Sequence, residues 1–293
     1  MRDSTDDLAA FARAVETGSF SAAARVSGAT PSAVSKAVAR LERRLGTRLF
    51  RRSTRILSLT DEGELYYAHV APLLRQLADA NDLFSGDVAV RGTLRVTMPS
   101  VLGHVLVDAI AARFLAEYPS VRLEIGLADR RVDIIAEGYD LALRVGDLPD
   151  MSLQRRSLSS LRLCLVASPT YLDEAGRPSN RSDLAGHRHI RYVVGRHAYP
   201  LRFSDGEVIK AEASLDLDDG SLMVRAAING AGIAQILEAA VHSELESGRL
   251  EHVLPQEAML ELPAQILHPF EHHVPLRARR FIEFIASELD ALR

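Results

Sequence analysis

Between Phe20 and Arg55 the chain reads FSAAARVSGATPSAVSKAVARLERRLGTRLFRRSTR, small residues and arginines in one run. Helix signals inside it are dense. Thr30 offers a capping hydroxyl, and Pro31 sits at the first helical position, where a missing N–H costs nothing. Val34, Val38, Leu41 and Leu45 recur at helical spacing, and Gly46 stops the run, which predicts a helix over Pro31–Leu45 with these four buried. Upstream, Leu8, Phe11, Ala12 and Val15 predict an amphipathic helix over 6–16, ended by Gly18. Ser19 and Ser21 can cap a short helix over about Ser21–Val26, and Gly28 breaks it. Ala22, Ala23 and Ala24 let this second helix cross the third closely. Ile56, Leu57 and Leu59, set among Arg and Ser, suit a short β-hairpin.

Charge is distributed unevenly along the 293 residues. The whole chain carries −4, yet residues 1–60 carry +6, residues 61–90 carry −5 and residues 91–293 carry −5. A basic head on an acidic body is the asymmetry of a module that meets a polyanion. Three helices with a basic third, followed by a hairpin, form the layout of a winged helix-turn-helix; a plain helical bundle with a charged surface is the alternative. A helix entering a major groove about 12 Å wide favours short polar side chains at its leading end. Thr30, Ser32, Ser35 and Lys36 stand there, and the flanking arginines suit phosphates or the minor groove.

Thr60, with Gly63 close by, opens a further helix whose apolar stripe includes Leu65, Val70, Leu73, Leu74, Leu77 and Phe84. That helix has no compact domain of its own, so a partner helix from a second chain is the expected cover, with folding back onto its own body as the alternative. Beyond Gly86–Gly92 strands alternate with helices. Strands are predicted at 94–98, 121–127 and 139–146, and helices at 103–117 and 130–137. A second unit begins near residue 161 and holds a helix at 220–230, the strand GIAQIL and a helix from about Pro275. This rhythm argues for a mainly parallel sheet covered by helices. Pro99-Ser100 ends one strand and opens a helix, and Asp219-Gly220-Ser221 opens another. Two such amino ends across a cleft suit a carboxylate or other small anion.

The segment FARAVETGSFSAAARVSGATPSAVSKAVARLERRLGTRLFRRSTRILSLTDEGELYY resembles the DNA-binding region of LysR-type transcriptional regulators. The resemblance rests on Gly18-Ser19-Phe20, Ala22-Ala23-Ala24, Pro31-Ser32-Ala33-Val34-Ser35, Leu41-Glu42, Leu45-Gly46, Leu49-Phe50 and Leu59-Thr60 followed by Gly63. RGTLRVTMPSVLG, VDIIAEGYDLALRVG and ASPTYL extend it downstream, over essentially the full chain. It implies a multidomain protein: an all-α-dominated winged helix-turn-helix over 1–60, a linker and dimerisation helix over 61–90, and a two-lobed α/β effector domain over 91–293. That last part would be periplasmic-binding-protein-like (type 2), with lobe I at about 91–160 plus 264–293 and lobe II at about 161–263. It further implies double-stranded DNA and a small effector as partners, and a homodimer assembling to a homotetramer, with RNA polymerase a further candidate. Matching positions would put Ser32, Ser35 and Lys36 on the bases, with Thr30 and Pro31 at the same turn. Arg40, Arg52, Thr54 and Arg55 would meet the backbone or minor groove. For the cleft the resemblance adds Leu102, Leu127, Val145 and Gly146, with crossovers near Asp147 and Ser168, to Pro99, Ser100, Asp219 and Gly220. Leu65, Val70, Leu73 and Leu77 would dimerise.

Other classes fit less well. Cys164 is the one cysteine, which leaves no internal disulfide and no cysteine-based zinc site. The histidines at 187, 189, 197, 268, 272 and 273 fall into no metal motif, and casting Ser100 and Asp219 as part of a hydrolase triad fails for want of a GxSxG elbow. A solute-binding protein would have no use for the basic head. No cofactor is expected. No run of about 18 apolar residues suggests a membrane span, and MRDSTDDLAAF lacks a signal-peptide pattern, so the expected location is cytoplasmic.

Overall fold

A computed structural model describes residues 2–51, 57–82, 90–148, 153–195, 197–271 and 273–292. The chain divides into two compact units, one of Met1–Ala89 with Ile135–Gly138 and one of Val90–Ile134 with Tyr139–Arg293.

The first unit is helical. Helix α1 (Arg2–Thr17) begins earlier than the apolar spacing predicts; α2 (Phe20–Ser27), α3 (Pro31–Leu45) and α4 (Asp61–Asp82) follow. Ser19 caps α2 by accepting from the Ala22 N–H at 3.0 Å, and Thr30 caps α3 by accepting from the Ala33 N–H at 3.2 Å. Gly46 ends α3 in the left-handed region at φ 72°. Phe11, Ala23, Ala24, Val34, Val38 and Leu41 meet in one core with Leu49 and Phe50. The Phe50 ring stands edge-on to both Phe11 and Phe20, each 5.5 Å away centre to centre. Leu45, expected in this core, is 38% exposed, in line with the exposed run over residues 43–46 at the end of α3. An antiparallel bridge between Phe50 and Leu59 joins the two arms of the hairpin region.

In the second unit the order is β1 (Gly92–Met98), α5 (Ser100–Ala109), a π-helical stretch over Ile110–Phe114, α6 (Leu115–Glu117), β2 (Val121–Leu127), β3 (Leu141–Val145) and β4 (Gln154–Ala167). Then come α7 (Pro169–Ala175), β5 (His189–Val194), β6 (His197–Ala198), β7 (Leu201–Arg202), β8 (Val208–Ile209) and β9 (Ala213–Leu217). The unit closes with α8 (Gly220–Ile228), β10 (Ile233–Leu237), α9 (His242–Glu246), β11 (Glu251–His252), β12 (Glu261–His268) and α10 (Leu276–Ala291). The strand order is β2-β1-β3-β12-β4-β10-β5-β6, with β11 beside β4 and β9 beside β5. β1 runs parallel to β2 and β3, whereas β12 is antiparallel to both β3 and β4. The sheet is therefore mixed, a correction to the mainly parallel expectation.

The 14-residue β4 runs through two halves of this unit, called lobe I and lobe II after its pairing partners. Its Gln154–Arg162 part pairs with β12 in lobe I, and its Leu163–Ala167 part pairs with β10 and β11 in lobe II. Alternation along β4 supplies two cores in lobe II. Leu165 and Ala167 face Tyr171, Leu172 and Phe203, while Cys164 and Val166 face Ile190, Met223 and Ala234. In lobe I, α5 and α10 cover the sheet around Leu94, Met98, Phe114 and Phe281.

The helix expected over 130–137 is absent; the segment is irregular and ends in a turn over 134–138. Val132 and Ile134 are buried at a spacing of two, which a helix could not do from one face, and the β-branched run disfavours helix as well.

Burial pushes the Cys164 thiol up to about 12, so almost none is thiolate at neutral pH. Iodoacetamide is expected to leave Cys164 unmodified in the native protein and to label it in denaturant, read by intact-mass spectrometry. Equal labelling under both conditions would contradict this.

Candidate functional site

On α3 the side chains of Ser32, Ser35, Lys36, Ala39 and Arg43 are all exposed and recur at intervals of three and four, one continuous strip along the helix. Pro31 and Thr30 are exposed at its leading end. The opposite face carries Val34, Ala37, Val38 and Leu41 into the core. The strip thus begins with short polar groups and gains cations toward its carboxyl end. Arg43 was not singled out by sequence reasoning, although counting helical steps onward from Ser32 reaches it.

Arg40, read as a DNA contact, is engaged elsewhere. Its guanidinium binds the Asp7 carboxylate at 2.6 Å, with Arg44 approaching the same group at 3.8 Å. Asp7 is buried, so this pair ties α1 to α3. Arg51 holds the Leu59 carbonyl at 2.9 Å and Asp61 at 3.2 Å. Arg52, Thr54 and Arg55 lie outside the described residues.

On α4, Leu65, Leu73 and Leu77 are 65%, 62% and 48% exposed, Leu73 and Leu77 one turn apart. Val70 does not belong with them. It is buried within the single chain, together with Ala71.

In the second unit, Ser100 and Gly220 head α5 and α8, and the structure brings these two amino ends together across the lobes. The Ser100 N–H and the Gly220 N–H both donate to the Asp129 carboxylate, at 2.7 and 2.9 Å. Ser100 Oγ lies 3.1 Å from Asp129 and 3.0 Å from Asp219. Asp219 also caps α8, accepting from the Ser221 and Leu222 N–H groups at 2.7 and 3.0 Å. Burial, followed by the Asp129 charge, pushes the Tyr192 phenol above the usual tyrosine range. Nothing local in the sequence marks Asp129, whose neighbours over 130–137 carry a helix-like pattern.

The remaining cleft expectations divide. Pro99 and Val145 are half-buried; Leu127 is 48% exposed and lies over Gly103. Gly146 is buried at the end of β3, its carbonyl accepting from Gln265 Nε2 at 3.0 Å. Leu102 is a correction: it is 0% exposed, because the first turn of α5 points it into the lobe I core. Ser168 is another, being 2% exposed with its hydroxyl capping α7 through the Tyr171 N–H. A separate cavity of about 660 Å³ opens between β4 and the 252–261 segment, and none of the expected cleft residues lines it.

Burial holds His189 and His268 below the usual histidine range. His189 Nε2 contacts the Leu184 carbonyl at 2.7 Å, as befits a neutral ring fixed in a core. His272 lies outside the described residues. Among the described residues no group of three or more His, Cys, Asp or Glu is placed to hold a metal ion, and no helix is long and apolar enough to cross a membrane.

A helical unit displaying a polar-to-basic helix, carried on the same chain as a mixed α/β unit, fits a DNA-binding regulator with an effector-binding domain, and the family matches agree. Residues 5–64 match the family model described as bacterial regulatory helix-turn-helix protein, lysR family, and residues 89–290 match the one described as LysR substrate binding domain. The chain belongs to the LysR family of transcriptional regulators; it is not an enzyme. Among relatives, the transcriptional regulator CrgA of Neisseria meningitidis (serogroup C, strain 8013) is 32% identical over 300 residues, covering 99% of this chain and 98% of that protein. The transcriptional activator AaeR of Escherichia coli (strain K12) is 31% identical, covering 96% and 92%. The solved structure of CrgA from Neisseria meningitidis aligns with a TM-score of 0.62 at 30% identity, covering 97% of this chain and 98% of that one.

Proposed function

We infer that this regulator binds a partly palindromic promoter site as a dimer or tetramer and responds to a small anionic effector held between its lobes. The observation that carries the DNA reading is the exposed strip Ser32–Ser35–Lys36–Ala39–Arg43 on α3. In this reading residues 1–60 read the DNA, 61–90 dimerise and 91–293 sense the effector. Ser32, Ser35 and Lys36 approach the bases from the turn formed by Thr30 and Pro31. Arg52, Thr54 and Arg55 take the backbone or minor groove, and Arg43 extends the basic margin. Arg40 meets the backbone with the exposed part of a guanidinium that Asp7 holds through Nε and Nη2. Pro99, Ser100, Leu127, Val145, Gly146, Asp219 and Gly220 line the effector cleft. An effector shifts the protein only by binding one lobe arrangement better than another, and the shift would re-space paired winged domains on DNA, with polymerase contact a further consequence. The cytoplasm is the compartment where such a protein meets its promoter.

Duplex binding by the full chain should fall linearly with salt on logarithmic axes, because Lys36 and the arginines displace counterions. Lys36→Ala should flatten preference between sites, read by competition gel shifts. A salt-independent shift would remove the DNA reading.

The exposed stripe of α4 supports self-association. Leu73→Asp with Leu77→Asp is expected to yield monomers in light scattering, since burying two carboxylates in an apolar seam costs several kcal/mol. An unchanged mass would show that this stripe is not the seam.

A further inference from the structure

Asp129 occupies an unusual position. One of its oxygens accepts from the Ser100 N–H, and the other accepts from the Gly220 N–H and faces Ser100 Oγ. Its two backbone donors head different helices from different lobes, each amino end carrying partial positive charge and orphan N–H groups. A Cβ on Gly220 would come 3.1 Å from Val101 Cβ, so α5 and α8 are in close contact here. A carboxylate supplied by the chain is seated where an anion from solution would sit.

Two features make Asp129 the replaceable partner. Asp219 is anchored by its own helix, whereas Asp129 arrives on an irregular segment that belongs to no ladder. Ser100 Oγ has one proton and two carboxylates within reach, so it can donate to only one at a time.

We propose that Asp129 is a built-in ligand of the effector cleft: its carboxylate latches lobe I to lobe II, and an effector carboxylate acts by replacing it on the Ser100 and Gly220 donors. The two donors exchange one carboxylate for another, so Asp219 opposes the incoming group as it opposes Asp129, and the displaced Asp129 charge turns toward solvent on its irregular segment. Formate alone does not displace Asp129, because the tethered group has the advantage of effective concentration. A larger effector adds contacts elsewhere in the cleft. The regulatory meaning of the latch rests on the effector reading above; the latch itself is a property of the fold.

Thermal unfolding of the full chain tests it, with sodium formate compared against sodium chloride at equal ionic strength. Asp129→Ala should melt roughly 3–10 °C below wild type. Formate should restore much of that loss in a saturable way by binding the native state. Wild type should not respond. Asp129→Asn, whose amide fills the space without the charge, should also melt lower and gain nothing from formate. Adding Ser100→Ala to Asp129→Ala should weaken the rescue. Should Asp129→Ala fold only when formate is present during refolding, that too supports the latch. Asp129→Ala or Asp129→Asn melting with wild type overturns it, as does a formate gain shared by all variants. These readouts involve neither DNA nor the natural effector. Absent rescue in a protein that still binds duplex removes the latch alone, and intact rescue in a protein blind to duplex removes the regulator reading alone.

Discussion

Gly63→Ala is expected to unfold the DNA-binding unit at a temperature more than ~10 °C lower and to abolish duplex binding, while the effector unit melts as before. The first turn of α4 is set directly on the strand segment that follows α3. Thr60 Oγ1 donates to the Arg48 carbonyl at 2.7 Å and accepts from the Gly63 N–H at 3.0 Å. The Thr60 N–H donates to the Leu49 carbonyl at 3.0 Å. A Cβ on Gly63 would be driven into that same carbonyl, with the Leu49 carbonyl carbon at 2.9 Å and Leu59 Cδ2 at 3.0 Å. Backbone cannot yield as a flexible side chain can, and Leu49 is itself 1% exposed in the core. Overpacking costs about 1–3 kcal/mol or more, and prising α4 away also forfeits the Thr60 cap at about 1 kcal/mol. Against a total stability of roughly 5–15 kcal/mol that is a large fraction. Calorimetry of the full chain with a parallel gel shift reads both effects; an unchanged first transition would show that the junction relaxes at little cost.

How far such features could be read beforehand depends on how far apart their partners lie in the chain. Thr30, Pro31 and Gly46 act within their own turns, so the limits of α3 follow from the letters alone. Position on the helix also marks the polar strip. Whether a charged side chain on that helix reaches DNA is another matter: Arg40 is claimed by Asp7, 33 residues away, and no local rule announces that pairing. Ser100 was legible as an anion donor because a strand ends and a helix begins there. Asp129, the anion in place, is 29 residues further on, beside apolar residues whose spacing imitates a helix. Leu102 and Ser168 came from resemblance, which conveys neighbourhood in the chain but not the direction a side chain points. The sheet's direction was missed for a related reason. β12 returns from the far end of the chain to lie antiparallel between β3 and β4, an arrangement the local strand–helix rhythm does not encode.

Glu42→Ala should be nearly as damaging as the glycine change, and Glu42→Gln much milder. A glutamate on an amphipathic helix ordinarily reads as surface, yet Glu42 is only 9% exposed. Its Oε1 accepts from two successive backbone N–H groups, Leu49 at 2.8 Å and Phe50 at 3.2 Å, and its Oε2 accepts from Arg48 at 3.0 Å. These donors lie just past the Gly46 stop, where the chain leaves α3 and enters the Phe50–Leu59 bridge, whose own bonds use the Arg51 and Thr60 N–H groups instead. No helix or sheet satisfies them. Alanine would leave both N–H groups buried without a partner, at about 1–3 kcal/mol each, and would loosen the Phe50 ring wedged against Phe11 and Phe20. Glutamine keeps an acceptor oxygen for both N–H groups and turns its amide toward Arg48, a contact already half in solvent and so worth about 0–1 kcal/mol. The expected order of stability in urea unfolding is therefore wild type, Gln slightly below, Ala far below, with duplex affinity following the same order. Equal losses for Gln and Ala would mean that the Arg48 ion pair, and not the two backbone donors, is what Glu42 supplies.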